Sequence, residues 1–108
     1  MKFRFNIRLI PLLAMLTLPA CTWVTLSDDG KSVRLLTENG AADCKKIGTA
    51  QSQVKSVVAG VERSQDKMRE ELAALARNAA ADIGGNAIAA SSAIEAGIQH
   101  FFVYKCPE

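Results

Sequence analysis

The stretch SQDKMREELAALARNAAADIGG, residues 64–85, decides the fold of this 108-residue chain. Ser64 is a typical helix N-cap, and Asp66 places a negative charge near the positive end of a helix dipole. The glycine pair Gly84-Gly85 is a typical helix stop, because glycine adopts the left-handed conformation without steric cost. These signals predict a helix from about Ser64 to Ile83.

The apolar residues of this helix recur at intervals of three and four, which predicts one apolar face. The predicted face consists of Met68, Leu72, Leu75, Ala79 and Ile83. Many alanines raise the helix propensity and permit close packing. This pattern predicts a helix that lies on a sheet. A coiled coil or a membrane-surface helix is the alternative, but the chain has no second heptad segment and the helix carries mixed charges.

Three further segments are predicted to form strands. Ser32 to Thr37 is a short candidate with Val33 and Leu35 on one face. Lys46 to Val54 is a weaker candidate, whose small residues predict close approach to a neighbour or to the helix. Ile98 to Cys106 is rich in aromatic residues and is the clearest strand of the chain. On a strand, its two alternating sets are Ile98, His100, Phe102, Tyr104 and Cys106 on one face and Gln99, Phe101, Val103 and Lys105 on the other.

The N-terminal 20 residues have the composition of a secretory signal peptide. Lys2, Arg4 and Arg8 supply a positive region, an almost wholly apolar run extends from Leu9 to Leu18, and the small Ala20 precedes a cysteine. The sequence Leu-Pro-Ala-Cys at residues 18–21 is therefore predicted to be a lipobox. Its alternatives are a single transmembrane anchor, for which the run is about half as long as required, and ordinary signal cleavage.

Lipidation at Cys21 divides the chain into three parts. We expect a lipoprotein signal peptide at residues 1–20, a lipidated tether at residues 21–31 and a globular domain at residues 32–108. The mature chain of 88 residues is long enough for one small domain. It carries ten basic and eleven acidic residues, without a basic cluster, so nucleic acid is not an expected partner.

The two remaining cysteines, Cys44 and Cys106, form an even pair in an exported chain, which predicts a disulfide. A loop of 62 residues gives about 4 kcal/mol of stabilisation in the chain-entropy model. A redox pair is the first alternative, although redox motifs place their cysteines two residues apart. A metal site that uses His100 is the second, although zinc sites need four ligands at short spacings.

The sequence offers no set of residues that would support catalysis. His100 is the only histidine, and it lies within a predicted strand among aromatic residues. Glu70 and Glu71 are adjacent on the helix, so they do not face each other. Asp28 and Asp29 fall in a predicted turn. We therefore expect a non-enzyme without a cofactor.

Several motifs, taken in their order along the chain, resemble those of a known family. They are the lipobox, the strand entry Cys44-Lys-Lys-Ile-Gly48, the turn Gly84-Gly-Asn-Ala-Ile88 and the final Phe102-Val-Tyr-Lys-Cys106. Together they resemble the small Gram-negative lipoproteins described only as a domain of unknown function. This resemblance implies an α+β domain, with one amphipathic helix on a small antiparallel sheet of three to four strands and a strand-to-strand disulfide.

The same motifs are more distantly similar to the lipoprotein sensor of the Rcs envelope-stress phosphorelay. The chain differs from that sensor by having one cysteine pair and no long proline-rich tether. The resemblance implies that Thr22, after the lipidated cysteine, directs the protein to the periplasmic face of the outer membrane. We expect an envelope maintenance or protein-interaction module with an envelope protein as partner. A metal-binding module and an envelope-stress sensor are the alternatives.

Overall fold

The computed structural model describes residues 25–108. The predicted signal peptide, the lipobox and Cys21 lie outside the described residues. One helix, six strands and two short 3-10 helices make up the described chain. In chain order these are a 3-10 helix Gly30–Ser32, β1 Arg34–Leu36, a 3-10 helix Asn39–Ala41, β2 Lys45–Gln53, β3 Val57–Val58, β4 Val61–Glu62, α1 Gln65–Asp82, β5 Ala87–Ala90 and β6 Ile98–Lys105.

Four strands form one sheet in the order β1-β5-β6-β2, and β3 and β4 form a separate hairpin. β6 runs antiparallel to both β2 and β5. The fold of one helix on a four-stranded sheet, closed by a disulfide, confirms the α+β prediction. The sheet is mixed, however, because β1 pairs with β5 in parallel. A parallel pair needs a crossover connection, and the chain between β1 and β5 contains β2, the hairpin and α1.

Local signals set the ends of α1 as predicted. The Ser64 hydroxyl accepts a hydrogen bond from the Lys67 amide at 3.1 Å. At the other end, Gly84 has φ +86°, and the Gly85 amide donates to the Ala80 carbonyl at 2.8 Å. A Cβ at Gly85 would lie 2.5 Å from Val103 Cγ1. The second glycine is therefore required because the turn passes directly over β6.

The core lies between α1 and the inner face of the four-stranded sheet. Its buried residues are Val33, Met68, Leu72, Ala76, Ala80, Ile88, Phe101 and Val103. Two of the four helix residues are alanines, so the helix backbone approaches the sheet closely. The alternation predicted for β6 is confirmed, because Gln99, Phe101 and Val103 are buried and the residues between them are more exposed.

The predicted apolar face of α1 is correct in its first turns and wrong at its end. Ala79 and Ile83 are exposed, and Ala76 and Ala80 take the buried positions. The buried residues follow an i, i+4 spacing, which drifts around the helix as it crosses the sheet. Ile83 still packs at its tip, because its Cδ1 would lie 3.1 Å from a Cβ on Gly48. This contact confirms the predicted close approach of β2 to the helix.

The strand β1 confirms the prediction for Ser32 to Thr37, with one difference in burial. Val33 is buried, whereas Leu35 is 54% exposed. β1 is an edge strand, so one side of Leu35 has no neighbouring strand to cover it.

The residues before β1 belong to the folded structure from Thr25 onward. Residues 25–31 are part of the tether that is predicted from the sequence. Here the Asn78 side chain on α1 donates to the Thr25 carbonyl at 2.9 Å and accepts from the Ser27 amide at 2.8 Å. No described helix combines the length and the apolar character needed to cross a membrane.

Candidate functional site

The disulfide between Cys44 and Cys106 confirms the predicted pairing. It joins the residue before β2 to the residue after β6, at one end of the longest strand pair in the sheet. Cys106 is 5% exposed. Both sulfur atoms are held in this bond, so neither cysteine offers a thiolate for redox exchange or metal binding while the bond is intact.

The turn between α1 and β5 holds the disulfide end of the sheet through the side chain of Asn86. Its Oδ1 accepts from the Cys106 amide at 2.7 Å, and its Nδ2 donates to the Cys106 carbonyl at 3.0 Å. Its own carbonyl accepts from the Arg34 amide at the start of β1. The Gly-Gly-Asn-Ala-Ile motif is therefore a structural clamp between β1 and β6.

The face of the sheet turned away from α1 is the first candidate binding surface, and we call it the open sheet face. Side chains alternate along a strand, so the residues between the buried ones of β6 point to this face. Their cross-strand partners on β2 and β5 share it. It comprises Arg34, Leu36, Lys46, Thr49, Gln51, Ala87, Ala89, His100, Phe102 and Tyr104.

Two aromatic rings and a lysine form the centre of the open sheet face. The centroids of the Phe102 and Tyr104 rings are 6.4 Å apart in an edge-to-face arrangement of 83°. The Lys46 ammonium lies 3.8 Å above the Phe102 ring, which is a cation–π contact. Beneath the rings, Ala87 and Ala89 are fully buried. The rings themselves remain half-exposed, so both can contact a partner.

The charge on the sheet is of one sign. The four strands of this sheet contain no aspartate or glutamate and carry four cationic side chains, namely Arg34, Lys45, Lys46 and Lys105. Arg34 and Lys46 lie on the open sheet face, whereas Lys45 and Lys105 alternate to the other side of their strands. The carboxylates lie on α1, β4, the loops and the C-terminus instead. A basic, aromatic surface of this kind attracts an acidic partner through Coulomb forces and gives it apolar rings to pack against.

A groove on the helix side of the sheet is the second candidate surface. Its volume is about 560 Å³, and it lies between the β1 edge and α1. Phe101, Leu35 and Ala73 contribute apolar surface, while Arg69 and Glu38 bring opposite charges. The Arg69 guanidinium is already paired with Asp66 at 2.8 Å. Because the charges of this groove are mixed, it indicates a less definite ligand than the open sheet face does.

A buried ion pair, which no local sequence pattern indicates, links the residue after the β3–β4 hairpin to α1. Arg63 Nη2 lies 2.7 Å from Glu71 Oε2, and their side chains are 12% and 10% exposed. The hydrogen bond with Glu71 raises the pKa of the Arg63 guanidinium, and the attraction of the carboxylate adds to this effect. Glu71, the one buried carboxylate of α1, is thus engaged with Arg63. The role of this ion pair is to hold the hairpin against α1.

The residues considered as metal ligands are not brought together. His100 lies exposed on the open sheet face. Within residues 25–108, no group of three or more histidine, cysteine, aspartate or glutamate residues could hold a metal ion. Glu70 is exposed and Glu71 is buried, which confirms that these two carboxylates point to different sides of α1.

Comparison with known proteins finds a family model and several relatives to which the chain is similar. Residues 24–106 match the model of the family described as "Domain of unknown function (DUF4156)". The chain is 34% identical, over 92 residues, to the uncharacterized protein YjeI of Escherichia coli K12 and to that of Shigella flexneri. The match covers 76% of this chain and 79% of each relative. No solved structure matches the chain.

Proposed function

Because this chain belongs to the DUF4156 family, whose description states no activity, we propose a function from the chain's own residues. It is a lipoprotein that is anchored to the periplasmic face of the outer membrane. It binds an acidic segment of an envelope protein through the open sheet face and thereby serves envelope maintenance. The observation that carries the binding step is the aromatic pair Phe102 and Tyr104, set in a sheet whose only charges are positive.

The anchor is supported by the N-terminal sequence. A positive region, an apolar run and a small residue before Cys21 occur in the order that a lipoprotein signal peptide requires. The disulfide in the folded domain agrees with an oxidising compartment such as the periplasm. The likeness of the motifs to lipoproteins favours the outer membrane, because Thr22 follows the lipidated cysteine.

The size of the open sheet face sets the strength of the interaction. Four strands spaced about 4.8 Å apart, with an average length of about 20 Å, expose roughly 400 Å². A stable complex buries about 800 Å² on each partner. The proposed contact is therefore transient and depends on the two rings and on charge. Its association rate should fall as salt screens the cations.

The proposal is for a binding protein and not for an enzyme. The single histidine of the chain lies on an exposed strand position, and nucleophilic catalysis needs a base that is oriented by a third group. Aromatic residues are the usual energetic centres of protein interfaces. Both points favour recognition over catalysis.

The binding step can be tested by photocrosslinking in cells. A benzoylphenylalanine at Gln51, which is exposed on the open sheet face, should yield a protein adduct, whereas one at the exposed helix position Glu70 should not. Lys46→Glu should abolish the adduct, and the matched reversal Lys67→Glu on α1 should leave it unchanged. An adduct that persists in Lys46→Glu, or one that a glycan hydrolase removes, would refute an acidic protein partner.

The anchor is tested independently of binding. Wild-type protein and a Thr22→Ala variant should incorporate radioactive palmitate and remain with the membrane fraction. Cys21→Ala should lose the label and appear in the soluble periplasmic fraction. Palmitate incorporation in Cys21→Ala would show that the lipobox assignment is wrong.

A further inference from the structure

The first described residues of the chain are bound to the surface of α1, and this attachment fixes where the N-terminal segment meets the domain. Asn78 holds three groups of this segment. Its Nδ2 donates to the Thr25 carbonyl, and its Oδ1 accepts from the Ser27 amide and from the Ser27 hydroxyl, at 2.9, 2.8 and 3.0 Å. Because main-chain groups supply two of these bonds, the backbone of residues 25–27 is itself held.

The attachment continues along the chain to β1. Arg77, next to Asn78 on α1, donates from Nε to the Val33 carbonyl at 2.7 Å and from Nη2 to the Lys31 carbonyl at 3.2 Å. Gly30 is buried against the helix, because a Cβ there would lie 2.3 Å from Asn78 Oδ1. Residues 25–33 thus form a strap over α1, and only three residues, 22–24, separate the strap from Cys21.

The strap lies on the side of α1 that faces away from the sheet. Ala76 is fully buried against the sheet, and Asn78 follows it by two residues, which is a rotation of about 200° around the helix. The helix is about 10 Å across and packs about 10 Å from the sheet. The open sheet face is therefore about 20 Å farther along the same direction, on the opposite side of the domain.

The reach of the chain decides which side can meet the bilayer. Four intervals from Cys21 to Thr25 span at most about 14 Å when fully extended. If the open sheet face lay against the bilayer, Thr25 would be about 20 Å from the lipid surface, which is beyond this reach. If the tether instead extended to Lys31, ten intervals would span about 35 Å and either side could face the lipid.

We propose that the α1 side of the domain, around Asn78, faces the lipid headgroups and that the open sheet face points away from the membrane. This proposal rests on the proposed lipidation of Cys21. The occupant of the strap side is a phospholipid surface, held there by the tether. The exposed carboxylates of Asp28 and Asp29 are close to the attachment, so this side contacts headgroups without inserting into the hydrocarbon.

The orientation is testable with lipidated full-length mature protein in vesicles of phosphatidylethanolamine and phosphatidylglycerol. A fluorophore is placed on Asp28→Cys, whose side chain is 99% exposed beside the strap, or on Gln51→Cys on the open sheet face. The efficiency of energy transfer to a headgroup-labelled lipid then gives the height of each fluorophore above the lipid surface. We expect the Gln51 label to lie about 20 Å farther from the lipid than the Asp28 label.

The variant Asn78→Ala tests whether the strap causes this orientation. Releasing residues 25–30 lengthens the tether from about 14 to about 35 Å, so the difference between the two labels should fall to near zero. Asp82→Ala, at an exposed position on the same helix, should keep the full difference.

The label heights and the fatty-acid content of Cys21 test the orientation and the anchor separately. Equal heights of the two labels in the wild-type background, or an unchanged difference in Asn78→Ala, would overturn the orientation while the lipoprotein assignment stands. Absence of fatty acid on Cys21, measured by mass spectrometry of the intact chain before reconstitution, would overturn both the orientation and the proposed anchor.

Discussion

Replacement of Asn86 by alanine should destabilise the domain more than any other single change of a surface-turn side chain. The side-chain amide of Asn86 bonds to the main chain of Cys106 as a neighbouring strand would. Its oxygen accepts from the Cys106 amide at 2.7 Å, and its nitrogen donates to the Cys106 carbonyl at 3.0 Å. Its backbone also bonds to Tyr104 in β6 and Arg34 in β1. Alanine keeps the backbone bonds and removes the two side-chain bonds.

The structure sets the magnitude of this effect. Each lost bond leaves a part-buried main-chain group of Cys106 without its partner, which costs about 1–3 kcal/mol when water cannot replace it. Pro107 and Glu108 are exposed, so water reaches this end of the sheet in part. We therefore expect a loss of about 2–4 kcal/mol in the free energy of unfolding. For a domain of this size, that lowers the melting temperature by about 10–20 °C.

Urea unfolding of the disulfide-bonded domain, followed by circular dichroism, measures this loss. Asn78→Ala is the matched control, because it also removes an asparagine amide but from exposed partners, which water can satisfy, and it should cost less than Asn86→Ala. Asn86→Asp keeps the acceptor for the Cys106 amide and should fall between the two. A midpoint for Asn86→Ala no lower than that of Asn78→Ala would refute the clamp.

Further predictions concern the disulfide, the helix stop and the buried ion pair. Cys44→Ser should lower the free energy of unfolding by about 4 kcal/mol, and equal urea midpoints under oxidising conditions would contradict this. Gly85→Ala should cost about 1–3 kcal/mol, because its Cβ would collide with Val103; a melting temperature equal to that of wild type would show that the turn has room. Glu71→Ala should destabilise more than Glu71→Gln, because alanine removes the carboxylate oxygen that accepts from Arg63, whereas glutamine keeps an amide oxygen there. Thermal unfolding that ranks the two variants in the opposite order would argue against the ion pair.

Much of the fold could be predicted because its signals are local. The cap at Ser64 and the stop at Gly84 are read from neighbouring residues, and the two-residue period of β6 separates its residues into two faces. The pairing of Cys44 with Cys106 needed only a count of cysteines in a chain that is predicted to be exported. Each of these inferences depends on residues a few positions apart, or on no geometry at all.

Other features could not be predicted because they depend on distant parts of the chain. Three of the four residues of β5, Ala87–Ala90, are alanines, so its strand character comes mainly from the neighbours β1 and β6 and not from propensity. The burial of Glu71 depends on Arg63. A polar residue on the outer side of a helix, such as Asn78, gives no sign in the sequence that it binds a segment 51 residues away.

The candidate site, too, could be predicted from the sequence only in part. The alternation of β6 indicated that His100, Phe102 and Tyr104 share one face, and the sequence could not say which face α1 would cover. The register with β2 then placed Lys46 over the Phe102 ring. Only this pairing turned an aromatic strand into a basic, aromatic surface.

The sequence by itself determined the helix, the strands β1, β2 and β6 and the cysteine pair, and it predicts a lipid anchor, because each is encoded in residue types at short or countable spacings. The tertiary structure alone decided that β1 runs parallel to β5 and that residues 25–31 lie on α1. It also decided which side of the sheet stays open. These outcomes depend on how α1 crosses the sheet. That packing is set by contacts among all the residues of the core, so it cannot be inferred from any short stretch of sequence.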